Sequence, residues 1–148
     1  MSRAAVSKYT TKQMGDACEM LVAAEMTLAG VPALRVPDLW PHYDVVAQPQ
    51  GRDLQRISVK SRTYKSGSGT FVTFLATDQF DWLAIVLLPG EDKKERQIFV
   101  IPRSLAAQTA RRDRPTSKTA NERYWRIDKV AELFSAFKDN FTLDGATL

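Results

Sequence analysis

Residues 82–88 (WLAIVLL) form an unbroken run of apolar side chains. The run is far short of the roughly 20 residues that a membrane span needs. With no polar alternation, it reads as a strand covered on both faces. Two layers must therefore pack against the sheet that holds it, and the rest of the chain must supply them. A chain of 148 residues with 44% hydrophobic content is large enough to build such a core.

Residues 12–29 carry the strongest helix signal, rich in Ala, Leu and Met, free of proline and stopped by Gly30. Thr10 or Thr11 is the expected N-cap. Met14, Ala17, Leu21, Ala24 and Leu28 recur at helical spacing and predict the buried stripe, widened by Cys18, Val22 and Met26. Residues 31–37 predict a short strand between prolines, with Trp40 as a packing residue beyond it. Residues 43–48 and 54–61 predict paired strands joined by the polar turn 49–53. Residues 62–69 form a basic, Gly/Ser-rich loop, and residues 70–75 are β-rich and expected to pair back onto the sheet. After the apolar run, a charged hairpin loop leads to a strand at 97–101 and a helix at 104–110. Residues 111–123 predict a solvated basic loop and 124–127 a short strand or packed turn. Asp128 is the expected N-cap of a last helix, 129–138, and 139–148 the expected tail. Residues 1–10 lack periodicity and are expected to be a loosely packed arm. One domain is predicted, with its core at about 12–105 and residues 106–148 at its periphery.

The net charge is +4 and the pI about 9.3, which fits a polyanionic partner. A lone cysteine, Cys18, excludes an internal disulfide framework and a cysteine-based zinc site. The N-terminus has no apolar signal-peptide core, so a cytoplasmic location and no membrane partner are expected.

The chemistry concentrates in the hairpin. Asp44 opens one apolar strand and Lys60 sits in the next. Charged groups on a half-buried hairpin need a compensating partner. Hydrolysis of a phosphodiester needs an activated water, neutralised charge at phosphorus and help for the leaving oxygen. A divalent cation on carboxylates and an adjacent lysine supply these. Glu19, four residues after Gly15 on the helix, is a candidate second carboxylate, with Glu25 as its rival. His42, just before Asp44, is a candidate pH-tunable substrate contact.

Gly15-Asp16-Ala17-Cys18-Glu19, Leu21-Val22-Ala23-Ala24-Glu25, Gly30, Pro37, Tyr43-Asp44-Val45-Val46 and Ile57-Ser58-Val59-Lys60 together resemble the PD-(D/E)XK nuclease superfamily. The likeness is to its small homing-endonuclease-like and Holliday-junction-resolvase-like members. Phe80 to Val86 and Ile98 to Arg103 resemble that group's later strands, so the resemblance covers about residues 12–105. It implies an α/β, restriction-endonuclease-like αβββαβ core with a central mixed sheet flanked by helices. It also implies DNA as substrate, Mg²⁺ as cofactor with Mn²⁺ as substitute, and a homodimer that reaches both strands. Residue by residue, it implies Glu19 and Asp44 as metal-binding carboxylates and Lys60 as the catalytic lysine. Ser58 departs from the pattern, standing where an acidic residue is usual, and is a weaker, neutral ligand in the catalytic set.

Arg62, Lys65 and Ser66 follow the lysine directly and are candidate DNA contacts, holding phosphates by charge and by the loop's backbone N–H groups. Arg111 and Arg112 begin a second candidate clamp. Two other functions compete with a metal-dependent endonuclease. Ser58 favours an inactive DNA-binding module on the same fold. An assembly protein would instead expose Trp40, Phe71, Phe74 and Trp82 to a partner.

Overall fold

The computed structural model describes residues 8–67, 69–91, 93 and 95–145. Parts of the expected N-terminal arm, Gly/Ser loop, charged hairpin loop and tail lie outside the described residues. In chain order the elements are α1 (Thr11–Leu28), β1 (Ala33–Arg35), β2 (Val45–Ala47), β3 (Gln55–Thr63), β4 (Phe71–Leu75), β5 (Trp82–Leu88), β6 (Gln97–Pro102), α2 (Arg103–Thr109), β7 (Arg111–Arg112), β8 (Glu122–Arg126) and α3 (Ile127–Phe134). A single 3₁₀ turn, Ser135–Phe137, follows α3.

Helix α1 starts at a capping box. The Thr10 hydroxyl accepts from the Gln13 N–H at 3.0 Å, and the Gln13 side chain accepts from the Thr10 N–H at 2.9 Å. Its buried face centres on Cys18, Val22 and Met26, predicted only as flanks of the stripe, with Ala23; of the predicted stripe Met14 and Leu21 are partly buried and Leu28 is 82% exposed. The helix is apolar around most of its circumference, so periodicity alone does not choose the face that meets the sheet.

The main sheet runs β1-β2-β3-β5-β6. Strands β3 and β5 are parallel and the other pairs antiparallel. Asp81 fixes the parallel register at the start of β5: its carboxylate accepts from the Arg56 backbone N–H at 2.8 Å and from the guanidinium at 3.0 and 3.1 Å. Alternate residues of β5 enter opposite cores, as the apolar run predicted. Trp82, Ala84 and Val86 pack with Val22, Met26 and Ile57 on the α1 side. Leu83, Ile85 and Leu87 pack with Phe74, Trp125, Val130 and Phe134 on the other. The result is a mixed α/β fold, a central mixed sheet flanked by helices. Among the described residues no helix is long and apolar enough to cross a membrane.

The second face is covered differently from expectation. Residues 70–75 do not pair back onto the main sheet; β4 pairs with β8 in a separate sheet ordered β4-β8-β7. The crossover between parallel β3 and β5 thus carries a strand where a helix is usual. Residues 111–123 are not simply a solvated loop, since they contribute β7 and the start of β8. The C-terminal third is not peripheral either: Trp125, Val130 and Phe134 are 2%, 0% and 0% exposed. Asp128 is not an N-cap. It lies in the first turn of α3, where its charge suits the helix dipole, and accepts from the Gly67 N–H at 3.2 Å and Arg126 at 2.6 Å. The tail is core as well, with Phe141 and Leu143 buried against the α1 side.

Candidate functional site

The site begins where β2 meets β3. Their last register pair is Val45 with Ile57. The Asp44 N–H donates to the Ile57 carbonyl at 2.9 Å, so two residues of one strand address one of the other, as in a β-bulge. A bulge re-aims a side chain, and the Asp44 carboxylate turns along β3 to accept from the Val59 N–H at 2.7 Å. The N–H and carbonyl of one strand residue face the same edge, so the Val59 carbonyl shares this corner.

Glu19 approaches the same corner from α1. Arg35, at the end of edge strand β1, donates to Glu19 at 3.1 Å, to Asp16 at 3.0 Å and to Asp38 at 3.4 Å. Asp16, Glu19, Asp38, Tyr43 and Asp44 line a cavity of about 420 Å³. Burial pushes the Glu19 carboxyl above the ordinary carboxylate range, and the Asp44 charge adds to it, against the opposing pull of Arg35. Burial also raises the Asp44 carboxyl, with the Val59 N–H and the Lys60 ammonium pulling the other way and Asp78 adding to the rise. In both carboxyls the cost of burial outweighs the nearby positive charges.

Lys60 and Ser58 stand apart from that cavity. Strand alternation puts Ile57 and Val59 on the α1 face and Ser58 and Lys60 on the other, opposite Leu83 and Ile85 of β5. The lysine charge acts on Asp44 across the open corner of the sheet. Ser58 is 3% exposed. Ser58→Glu is therefore expected to lower stability by about 2–4 kcal/mol, from overpacking and a buried charge, read as an earlier urea midpoint. A midpoint equal to the parent's would show that the pocket has room for the carboxylate.

Among the described residues, no three His, Cys, Asp or Glu side chains are grouped to hold a metal ion. Glu19 and Asp44 are two carboxylates. A Mg²⁺ ion typically takes one or two, keeping several waters. The donor set fits such an ion, provided Arg35 yields its hold on Glu19. Glu25 enters no ion pair among the described residues.

The proposed DNA contacts are not gathered at this corner. Arg62 is committed to the carbonyls of Phe71 at 3.1 Å and Ser61 at 2.7 Å, tying β3 to β4. The expectation of free loop N–H groups is corrected. The N–H and hydroxyl of Ser66 go to Glu91 at 3.3 and 3.0 Å, and Asp128 takes the Gly67 N–H. Lys65 is exposed. Arg111 and Arg112 are exposed on β7, at the edge of the second sheet, with Arg111 over the Tyr124 ring at 5.8 Å. His42 Nδ1 lies 3.7 Å from Asp78. Trp40 is not a packed residue but 50% exposed, whereas Phe74 and Trp82 are 2% and 1% exposed and offer no partner surface.

Sequence reasoning missed Arg35, Asp16, Asp38 and Asp78. Asp16 and Glu19 share a helix face at a spacing of three, which was a usable signal. Nothing local marked Asp78, which reaches the site only through the crossover.

No protein-family model matches the chain, and the search of curated proteins gave no match. Among solved structures, a bacterial homing endonuclease, I-Ssp6803I, is similar with a TM-score of 0.57, at 18% identity over 90% of this chain and 90% of that chain. A Holliday junction resolvase, Hjc of Archaeoglobus fulgidus, has a TM-score of 0.48, at 17% identity over 79% of this chain and 91% of that chain. At such identity the first likeness speaks for architecture alone: the chain shares the fold of that endonuclease, a central mixed sheet flanked by helices.

Proposed function

We propose that the protein is a metal-dependent DNA endonuclease that hydrolyses phosphodiester bonds. The observation that supports this reading is that Glu19 and Asp44 line one cavity at the strand corner where the Val59 N–H holds Asp44, with burial raising both carboxyls and a lysine charge acting on Asp44. Glu19 and Asp44, with the neighbouring Val59 carbonyl, would hold Mg²⁺ or Mn²⁺. A bound divalent cation would supply Lewis-acid stabilisation of the phosphoryl charge and a more acidic water. Asp44 is held in place by the Val59 N–H, so its aim does not depend on the ion. Lys60, although on the other face of β3, has its charge within reach of Asp44, and from there it would orient the attacking water and offset charge developing at phosphorus. Exposed Lys65, Arg111 and Arg112 would contact the DNA backbone. A homodimer would present one such site to each strand, and a concentration-independent monomer in sedimentation would contradict it. A cytoplasmic location belongs to the same reading.

Purified protein is expected to cut supercoiled or branched DNA when Mg²⁺ or Mn²⁺ is supplied. Lys60→Ala should cut on the order of 10²–10⁴-fold more slowly while still binding. A parent protein that never cuts, or a Lys60→Ala variant that cuts equally well, sinks the mechanism. Ser58, buried and neutral, favours a second reading: a DNA-binding module without cleavage. It predicts salt-sensitive binding in a protein that leaves DNA intact with either metal.

A further inference from the structure

Residues 36–43, the loop that runs from β1 to Asp44, take no part in the chemistry above. Its tip is apolar and stands in solvent: Leu39 is 100% exposed and Trp40 50%. Leu39 (φ 68) and His42 (φ 76) adopt left-handed backbone conformations that side-chain-bearing residues rarely take. Such conformations persist where the surroundings impose them, and they gather at ligand clamps. Here the imposing contacts are visible. Asp38 pairs with Lys12 and Arg35, each at 3.4 Å. The Val36 N–H donates to the Asp44 carbonyl at 3.0 Å, the Trp40 N–H to Pro37 at 3.2 Å, and the Tyr43 N–H to Pro41 at 3.0 Å. The Trp40 and Tyr43 rings meet edge-on at 6.3 Å. Pro37 and Pro41 bracket the tip and fix the backbone at its base. Leu39 and Trp40 line the same cavity as Glu19 and Asp44.

A leucine and an indole, held outward on a rigid loop, make too little area for a stable protein interface, which buries about 800 Å² on each side. They do match the size of one base step. Apolar side chains such as Leu act as wedges that unstack neighbouring bases, and aromatic rings stack on any exposed base because every base has a π-face. We propose that Leu39 and Trp40 are a wedge for DNA, Leu39 entering between base steps and Trp40 stacking on an unpaired base beside the strand to be cut. This rests on the endonuclease reading and adds a substrate class to it. Unstacking is easiest where a base is already unpaired, so the preferred substrate is DNA with a bulged, mismatched or branch-point base.

The test uses the full chain and two short labelled duplexes, one fully paired and one with a single bulged base, in low salt without divalent metal. Of the three tryptophans, Trp82 and Trp125 are 1% and 2% exposed, so DNA-dependent quenching reports on Trp40. The bulged duplex is expected to bind about tenfold more tightly than the paired one, in line with the stacking of one base, and to quench the emission. Leu39→Gly keeps a residue suited to the left-handed backbone and removes the wedge; it should bring the two affinities to near parity, as should Trp40→Ala. Parity in the parent without quenching overturns the wedge while leaving an endonuclease intact. An unchanged preference in both variants overturns it too, as does a dimer in the parent that Leu39→Gly dissociates with its DNA preference kept. Failure to bind either duplex removes the endonuclease reading itself.

Discussion

Asp44→Asn is expected to abolish metal-dependent cleavage, by on the order of 10³-fold or more, and to raise the melting temperature by roughly 1–3 °C. The asparagine oxygen can still accept from the Val59 N–H, so the corner keeps its shape. What is lost is a negative charge that the folded protein holds at a disadvantage. The sign follows from the raised carboxyls of Asp44 and Glu19. Their contribution to stability is complete below the ordinary carboxylate pKa of about 4 and is lost as pH rises through their higher folded-state values. A divalent cation should offset that loss. Mg²⁺ is therefore expected to raise the parent's melting temperature at pH 7, with a smaller effect as acid protonates the two carboxyls and competes with the ion. Calorimetry of parent and variant across pH, with and without Mg²⁺, reads all of this. A Mg²⁺ stabilisation of equal size in Asp44→Asn would mean that the ion binds elsewhere.

A chain stopped at Lys138 is expected to lose about 4 kcal/mol or more of stability, a large part of what a domain of this size has. The deletion takes Leu143, 0% exposed, and Phe141, 8% exposed, out of the core under α1. It also uncovers the edge of β6. The Asp139 N–H donates to the Ile98 carbonyl at 2.8 Å, and the Asn140 amide donates to the Val100 carbonyl at 3.1 Å. Asn140 closes the turn on itself, donating to the Asp144 carbonyl at 2.9 Å and accepting from the Asp144 N–H at 3.0 Å. An exposed sheet edge invites pairing with other chains, so aggregation of the shortened protein on warming is the second expected result. Urea denaturation gives the first quantity and light scattering the second. A truncated chain with the parent's urea midpoint would mean that these contacts contribute nothing.

Local chemistry was legible wherever one segment sets its own state. The N-cap of α1 at Thr10, the strand at residues 82–88 and the hairpin of β2 and β3 follow from side-chain spacing, capping and turn residues within a few positions. Glu19, Asp44 and Lys60 stood out as candidates for the same local reason, each being a charge set in an apolar stretch, and their roles remain a proposal. The larger readings that failed needed a partner distant in sequence. Residues 70–75 are β-rich whichever sheet they join, and only β8, some fifty positions later, decides which. The segment after residue 138 has two apolar residues among polar ones, and their burial depends on the gap left beside α1.

The sequence by itself determined a sheet with both faces covered, a helix across one of them, and the candidate charges Asp44 and Lys60 on the two strands of one hairpin. Periodicity and burial free energy act along the chain, so those features can be read from it. The tertiary structure alone decided that Glu19 and Asp44 meet while Lys60 and Ser58 face the other side of the sheet. It also decided that Arg35 bridges three carboxylates, and that Leu39 and Trp40 stand exposed beside them. Those relations are set by which strands pair and where one of them bulges, and pairing is a property of two segments at once.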